Sequence, residues 1–159
     1  MAATQLYDRD FFEWTQCNAA LLRAGRFDQA DIEHIAEEIE DMGKRERREL
    51  ESRLEILLQH LLKWQIQPER RGTSWLGTIE LQRLEITKLL EEMPSLKNLL
   101  ASRLGQSYKG GVLRASIETG LPKSTFPKLC PYTLDQILDP EFLPEFKATA
   151  PSASPAVAR

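Results

Sequence analysis

Chemically able side chains are densest between residues 60 and 83, where His60, Lys63, Trp64, Arg70, Arg71, Ser74, Trp75 and Arg83 follow one another closely. Cations interleaved with indoles suit an oxyanion or a nucleobase, because a guanidinium forks onto paired oxygens and ring faces stack. A helix starting at Thr73 or Ser74 would add unpaired N–H groups and the positive end of its dipole. The ligand-binding candidates are therefore His60, Lys63, Trp64, Arg71, Ser74, Trp75 and Arg83. The same residues admit a purely structural role. Both indoles would then close the end of a bundle, while Arg71 and Arg83 pair with Glu69, Glu80 or Glu85. His60 flanks a leucine stripe, where a lone histidine is more often a hydrogen-bonded core residue than a base. The pattern assigns no catalytic residue.

A second group, His34, Glu37, Glu38 and Asp41, recurs at three- and four-residue steps and so shares one helical face. Di-metal bundles repeat a Glu-x-x-His pair on two helices, and no such repeat occurs here. A solvated acidic face paired with Lys44, Arg45 and Arg48 one turn on is the stronger expectation, and neither metal nor other cofactor is expected. The sequence has no Walker loop, G-x-S-x-G, H-E-x-x-H or Gly-rich dinucleotide turn, so no common enzyme class gains support.

The elements that must position these residues all read as helices. Asp8 can cap a first helix through Leu22, ended by Gly25. Asp28 or Asp31 opens a second, whose core face is expected to be Ile32, Ile35, Ala36, Ile39 and Met42. Gly43 either kinks the chain or separates two helices, and beyond it Leu50, Leu54, Leu57, Leu58, Leu61 and Leu62 form a stripe that ends at Pro68. Thr73 or Ser74 starts the next helix, which buries Trp75, Ile79, Ile86, Leu89, Leu90 and Met93 and stops at Pro94. Ser95 caps another, running to Gly120 with Gly110-Gly111 as a weak point or a close helix contact. The Pro-rich stretch after it is expected to be an ordered loop anchored by Leu121, Phe126 and Leu129. Thr133 with Gln136 makes a capping box for a last short helix. The fold class expected is an all-α bundle of four to five main helices and a short C-terminal helix, a single domain over 6–146. Residues 147–159, rich in Ala, Pro and Ser, are expected to be a flexible tail.

Composition agrees with this and excludes little else. Of 159 residues, 42% are hydrophobic and 28% charged, and 24 acids against 21 bases give a net charge of -3. That balance argues against nucleic acid as a partner, since no basic run or excess is present. Cys17 and Cys130 have no metal-type or disulfide-scaffold spacing. No apolar stretch reaches the roughly 20 residues of a membrane span, and the acidic start does not suit a signal peptide, so the cytoplasm is the expected compartment and a membrane is not an expected partner.

The stretch LLQHLLKWQIQPERRGTSWLGTIELQRLEITKLLEEMPSLK resembles the domain of unknown function 29 family (DUF29), a bacterial group. The resemblance rests on His60 to Trp64, Pro68 with Arg71, Ser74-Trp75 with Thr78-Ile79, Arg83, and Pro94 to Leu96. The opening YDRDFFEWTQ and the closing CPYTLDQILDPEFLP extend it to about residues 6–145. It implies an all-α bacterial protein and lends no catalytic residues. The function expected is a helical binding or protein-interaction module presenting the 60–83 end to a partner protein or a small anionic ligand, with homo-oligomerisation open. The alternative is an enzyme of unrecognised type using His60, Arg71 and Arg83, or a weak metal site on the 34–41 face.

Overall fold

Leu50, Leu54, Leu57, Leu58, Leu61 and Leu62 recur at three- and four-residue steps, and in the computed structural model every one of them is fully buried in a single core. The structure describes residues 3–148, and the described residues are helical without strands. The helices are α1 (Ala3–Leu6), α2 (Phe11–Arg23), α3 (Ile32–Ile66), α4 (Thr73–Glu92), α5 (Leu96–Thr119) and α6 (Leu134–Leu138), with 3-10 turns at Pro68–Arg70 and Lys123–Thr125. Of the stretch expected as a flexible tail, residues 149–159 lie outside the described part; Lys147 and Ala148 are exposed coil. The chain divides into two compact units, Met1–Arg47 and Arg48–Arg159, with the division falling inside α3.

In the first unit, Asp10 rather than Asp8 caps α2, accepting from the Glu13 N–H at 2.9 Å. Gly25, at φ 69°, ends it in the left-handed conformation that glycine adopts at no steric cost. Helix α3 runs unbroken through Gly43, so that glycine neither kinks the chain nor separates two helices. A helix tolerates an interior glycine when its neighbours supply enough hydrogen bonds and propensity, at a cost of about 1 kcal/mol. A Cβ at Gly43 would meet nothing within 4 Å. Gly43→Ala is therefore expected to stabilise the protein by about 0.5–1 kcal/mol in a denaturant titration.

In the second unit, α4 folds back antiparallel to α3: Lys63 meets Trp75 at the start of α4, and Arg53 reaches Gln82 and Glu85 farther along it. Helix α5 runs parallel to α3, as ion pairs in ascending order show: Glu51–Arg103 at 3.5 Å, Glu55–Arg114 at 3.0 Å and Lys63–Glu118 at 2.6 Å. Gly110-Gly111 marks a close contact between these two helices and not a weak point. A Cβ on Gly111 would lie 2.9 Å from the Leu58 Cβ and 3.3 Å from the Glu55 carbonyl oxygen. Gly111→Ala is accordingly expected to destabilise by about 1–3 kcal/mol, opposite in sign to Gly43→Ala under the same titration.

Neither Thr73 nor Ser74 caps α4. Its N-cap is Gly72, which has no side chain to give, and Ser95 caps α5 by position without a side-chain bond. Tyr108 Oη donates to the Pro127 carbonyl at 2.5 Å and Ser116 Oγ to that of Leu121 at 2.7 Å, which holds the loop after Gly120 onto α5. Phe126 is buried in that loop and Leu121 half-buried, but Leu129 is exposed and anchors nothing. The capping box of α6 is present in both directions, Gln136 N–H to Thr133 Oγ1 and Thr133 N–H to Gln136 Oε1. Ile137 and Tyr132 carry this C-terminal strap into the core.

Candidate functional site

At the turn between α3 and α4 Lys63 meets Trp75 and Arg71 meets Trp64, whereas Arg83 lies apart from them against α6, and the polar partners of these three cations are internal. Pro68 starts the 3-10 turn, where its missing N–H costs nothing. The chain then reverses so that Arg71 returns onto the last turn of α3. Its Nε donates to the Trp64 carbonyl at 2.7 Å, and its guanidinium lies 5.1 Å from the Trp64 ring centroid. Arg71 thereby caps a carbonyl that the end of α3 leaves without an intrahelical partner. Its Nη2 is buried without an acceptor among the described residues.

Lys63 is 1% exposed, with its ammonium 4.2 Å from the Trp75 ring centroid and 2.6 Å from Glu118 Oε1. Gln59 donates to the other Glu118 oxygen. Partial burial alone would raise the Glu118 carboxyl, but the Lys63 hydrogen bond and charge outweigh it and hold the group below the usual carboxylate range. His60 is half-buried one turn before Trp64, and its Nδ1 lies 2.9 Å from the Ile56 carbonyl. A carbonyl only accepts, so Nδ1 carries the proton. Burial lowers the His60 pKa, against the pull of that bond, and the ring is neutral near pH 7. Ser74 is exposed, its carbonyl accepting from Thr78 Oγ1 at 3.1 Å.

Arg83 is buried, and its partners are neither Glu80 nor Glu85. Nε donates to the Ile137 carbonyl at 2.8 Å and Nη2 to that of Phe142 at 2.8 Å, with longer bonds to Gln136 at 3.4 Å and Pro140 at 3.5 Å. Gln136 and Ile137 belong to the last turn of α6, where the Gln136 carbonyl also accepts from the Asp139 N–H and Arg83 supplies the donor to that of Ile137. Arg83 thus closes α6 and binds the strap after it to α4. Glu85, one of the glutamates expected to pair with the arginines, instead faces Lys88 at 3.0 Å.

On the 34–41 face the groups also find protein partners. Asp31, buried, accepts from Trp14 Nε1 at 3.0 Å and lies 2.7 Å from His34 Nδ1, while Asn18 Oδ1 accepts from the Asp31 N–H at 2.8 Å. Tyr7 stacks on the His34 ring at 3.9 Å between centroids and donates to Glu38 at 2.6 Å, and that bond, with partial burial, pushes the Tyr7 pKa up to about 12. Asp41 accepts from Lys44 at 3.1 Å. Among the described residues no three His, Cys, Asp or Glu groups converge as a metal site would require.

The hydrogen bond to Asp31 raises the His34 pKa above its ordinary 6.5, against the opposing pull of desolvation. A raised folded-state pKa contributes stability that is complete below the unfolded value and is lost as pH rises through the folded value. Wild-type stability is therefore expected to fall as pH rises from about 6.5 through the elevated value, and His34→Gln to flatten that limb. Chemical denaturation between pH 6 and 8.5 checks this, and an unchanged limb in His34→Gln would contradict it.

Sequence patterning missed two features. The polar side of α3 carrying Asp31, His34 and Glu38 is the side that residues 7–18 cover, and the apolar side expected to be core is open: Ile32 is 49% exposed, Ile39 64% and Met42 60%. Trp14, four residues before Asn18 and followed by an aspartate that precedes a helix, was the available signal, though nothing local links them. The second is a cleft between α5 and the 123–128 loop, whose cations are far apart in sequence.

The chain belongs to the family described as domain of unknown function DUF29, which matches residues 6–143. No curated protein and no solved structure matches it. No helix among the described residues is long and apolar enough to cross a membrane.

Proposed function

We propose that this DUF29 chain is a protein-interaction module that works through the apolar face of the first half of α3, and that the occupant of that face is a second copy of the chain. The observation that carries the reading is the exposure of Ile32, Ile39 and Met42 on one side of a long helix. With half-buried Ile35 they are spaced 32, 35, 39, 42, the three-four alternation of a coiled-coil seam. Isolated apolar residues on a surface need no partner, whereas a contiguous stripe of this kind marks an interaction face.

The stripe is self-complementary. Two copies crossing antiparallel about residue 37 set Ile32 opposite Met42 and Ile35 opposite Ile39 in every layer, which is the isologous pairing a two-fold dimer demands. Ten residues of helix span about 15 Å, a short seam, so the association is expected in the roughly micromolar range. The expectation that the 60–83 end is what the module presents finds less support, because Lys63, Arg71 and Arg83 there donate to groups of the chain itself. That end serves the module by holding α3, α4 and the strap together.

Charge exchange tests the partner. Ile35→Lys and Ile39→Glu each set an introduced charge opposite an isoleucine in a homodimer, and only their heterodimer sets the two opposite charges against each other. Native mass spectrometry of the mixture is expected to show the heterodimer several-fold enriched over either homodimer. A heterodimer at only the statistical twofold over each homodimer would overturn the antiparallel self-pairing.

A further inference from the structure

We infer a second binding site, separate from the α3 face: the cleft between α5 and the loop after it takes a small amphipathic anion, a carboxylate head on an acyl body. The cleft has a volume of about 600 Å³ and is lined by Tyr108, Val112, Phe126 and Pro127, with Lys109, Lys123 and Lys128 around them. That volume falls within the range of small-molecule sites, roughly 300–1,000 Å³.

The floor is apolar, and its one polar ring is already engaged. Tyr108 Oη donates to the Pro127 carbonyl, so the phenol contributes its ring face and leaves no hydroxyl to be satisfied by a ligand. Tyr108 and Phe126 are buried members of the core, so the floor exists before a ligand arrives. The loop that forms the far wall is fastened by the Tyr108 bond, by Ser116 to Leu121, and by the 3-10 turn Lys123–Thr125.

The three lysines are exposed, and none has a carboxylate within ion-pair distance among the described residues. Elsewhere on the bundle Arg53, Lys63, Lys88, Arg103 and Arg114 are each paired with a carboxylate. From Leu104 to Thr133 the only acid is Glu118, and Lys63 holds it. In a chain of net charge -3, three unpaired cations around one apolar cleft form a local positive field. Lysine carries a compact charge on a flexible stem, so each ammonium can follow an anionic head at the wet rim without a fixed bidentate geometry. An apolar body fills the cleft while its head stays at the wet edge among the ammonium groups.

Octanoate is the probe, followed by amide chemical shifts of the full chain, with 1-octanol and acetate as the arms lacking one half of the chemistry. Octanoate is expected to shift the amides of residues 108–112 and 123–128 saturably, and both partial probes to bind at least about tenfold more weakly. The triple variant Lys109→Gln, Lys123→Gln, Lys128→Gln is expected to keep the wild-type spectrum elsewhere and lose about tenfold or more in octanoate affinity. Absence of saturable shifts, 1-octanol binding as tightly as octanoate, or undiminished octanoate binding by the triple variant would each overturn the inference. None of these outcomes depends on the oligomeric state.

Discussion

Arg83→Met is expected to destabilise the protein by about 3–5 kcal/mol, among the largest effects of any single substitution in this chain. The guanidinium donates to the carbonyls of Gln136, Ile137, Pro140 and Phe142, and two of those bonds are 2.8 Å long. Removing it leaves the Ile137 and Phe142 carbonyls without the donor that holds them, and bonds to a charged donor carry roughly 1.5–3 kcal/mol each before compensation. Methionine keeps most of the stem's volume, so the loss measures the bonds and not a cavity. Amide exchange gives a second readout: protection of Ile137 and its neighbours should collapse toward that of a frayed segment while α3 and α5 stay protected. Arg83→Lys should resemble Arg83→Met, because a single ammonium cannot reach carbonyls spread over seven residues. A loss below about 1 kcal/mol would mean that the strap is held by Ile137 and Tyr132 alone.

Glu118→Gln should be nearly as costly, at about 3–5 kcal/mol, although Glu118 is itself half exposed. The reason lies on the other side of the pair. Lys63 is 1% exposed, and without Glu118 its ammonium would remain in the core facing only the Trp75 ring and an amide. Breaking a buried pair by deleting one partner is expensive because it strands the other charge, whereas replacing both can be neutral. The double variant Lys63→Met, Glu118→Gln is therefore expected to recover most of the stability lost in Glu118→Gln. Equilibrium unfolding of the four proteins closes the cycle, and a double variant no more stable than Glu118→Gln would refute the stranded-charge explanation. Protonating Glu118 should act in the same direction: its carboxyl is held low in the folded state, so the stability it supports is present above the ordinary carboxylate pKa and lost as pH falls through the lowered one.

Local features were legible in the sequence where the deciding interaction is local. Pro94 and Gly120 end α4 and α5, the Thr133–Gln136 box opens α6, and the leucines of residues 50–62 mark the core because their spacing alone defines a face. The features that escaped depend on distant partners. Arg83 lies one helical step from Glu80, so local spacing points to an ion pair, yet its acceptors are main-chain carbonyls more than fifty residues on, invisible to any pattern of side chains. Lys63 reads as a cation available to a ligand until α5 brings Glu118 onto it. The first half of α3 shows the opposite failure. Its apolar stripe was legible, but amphipathicity says which face seeks burial, not what buries it, and Trp14 with Tyr7 recruited the polar face through Asp31, His34 and Glu38. The cleft cations, Lys109 on α5 and Lys123 and Lys128 on the loop, meet only because the chain doubles back at Gly120.

The parts of the molecule differ in what their side chains are engaged with. Residues 60–83 hold the second unit together, the α5 cleft keeps its cations unspent, and the first half of α3 keeps its apolar face open. Sedimentation equilibrium of the wild type and of Ile39→Glu, from low-micromolar to submillimolar protein, tests the proposed module most directly. The wild type should pass from monomer to dimer mass across that range, and Ile39→Glu should stay monomeric with an unchanged melting temperature at the dilute end, since residue 39 is open to water in the monomer. A wild type that remains monomeric throughout, or an Ile39→Glu variant that dimerises as the wild type does, would contradict the account.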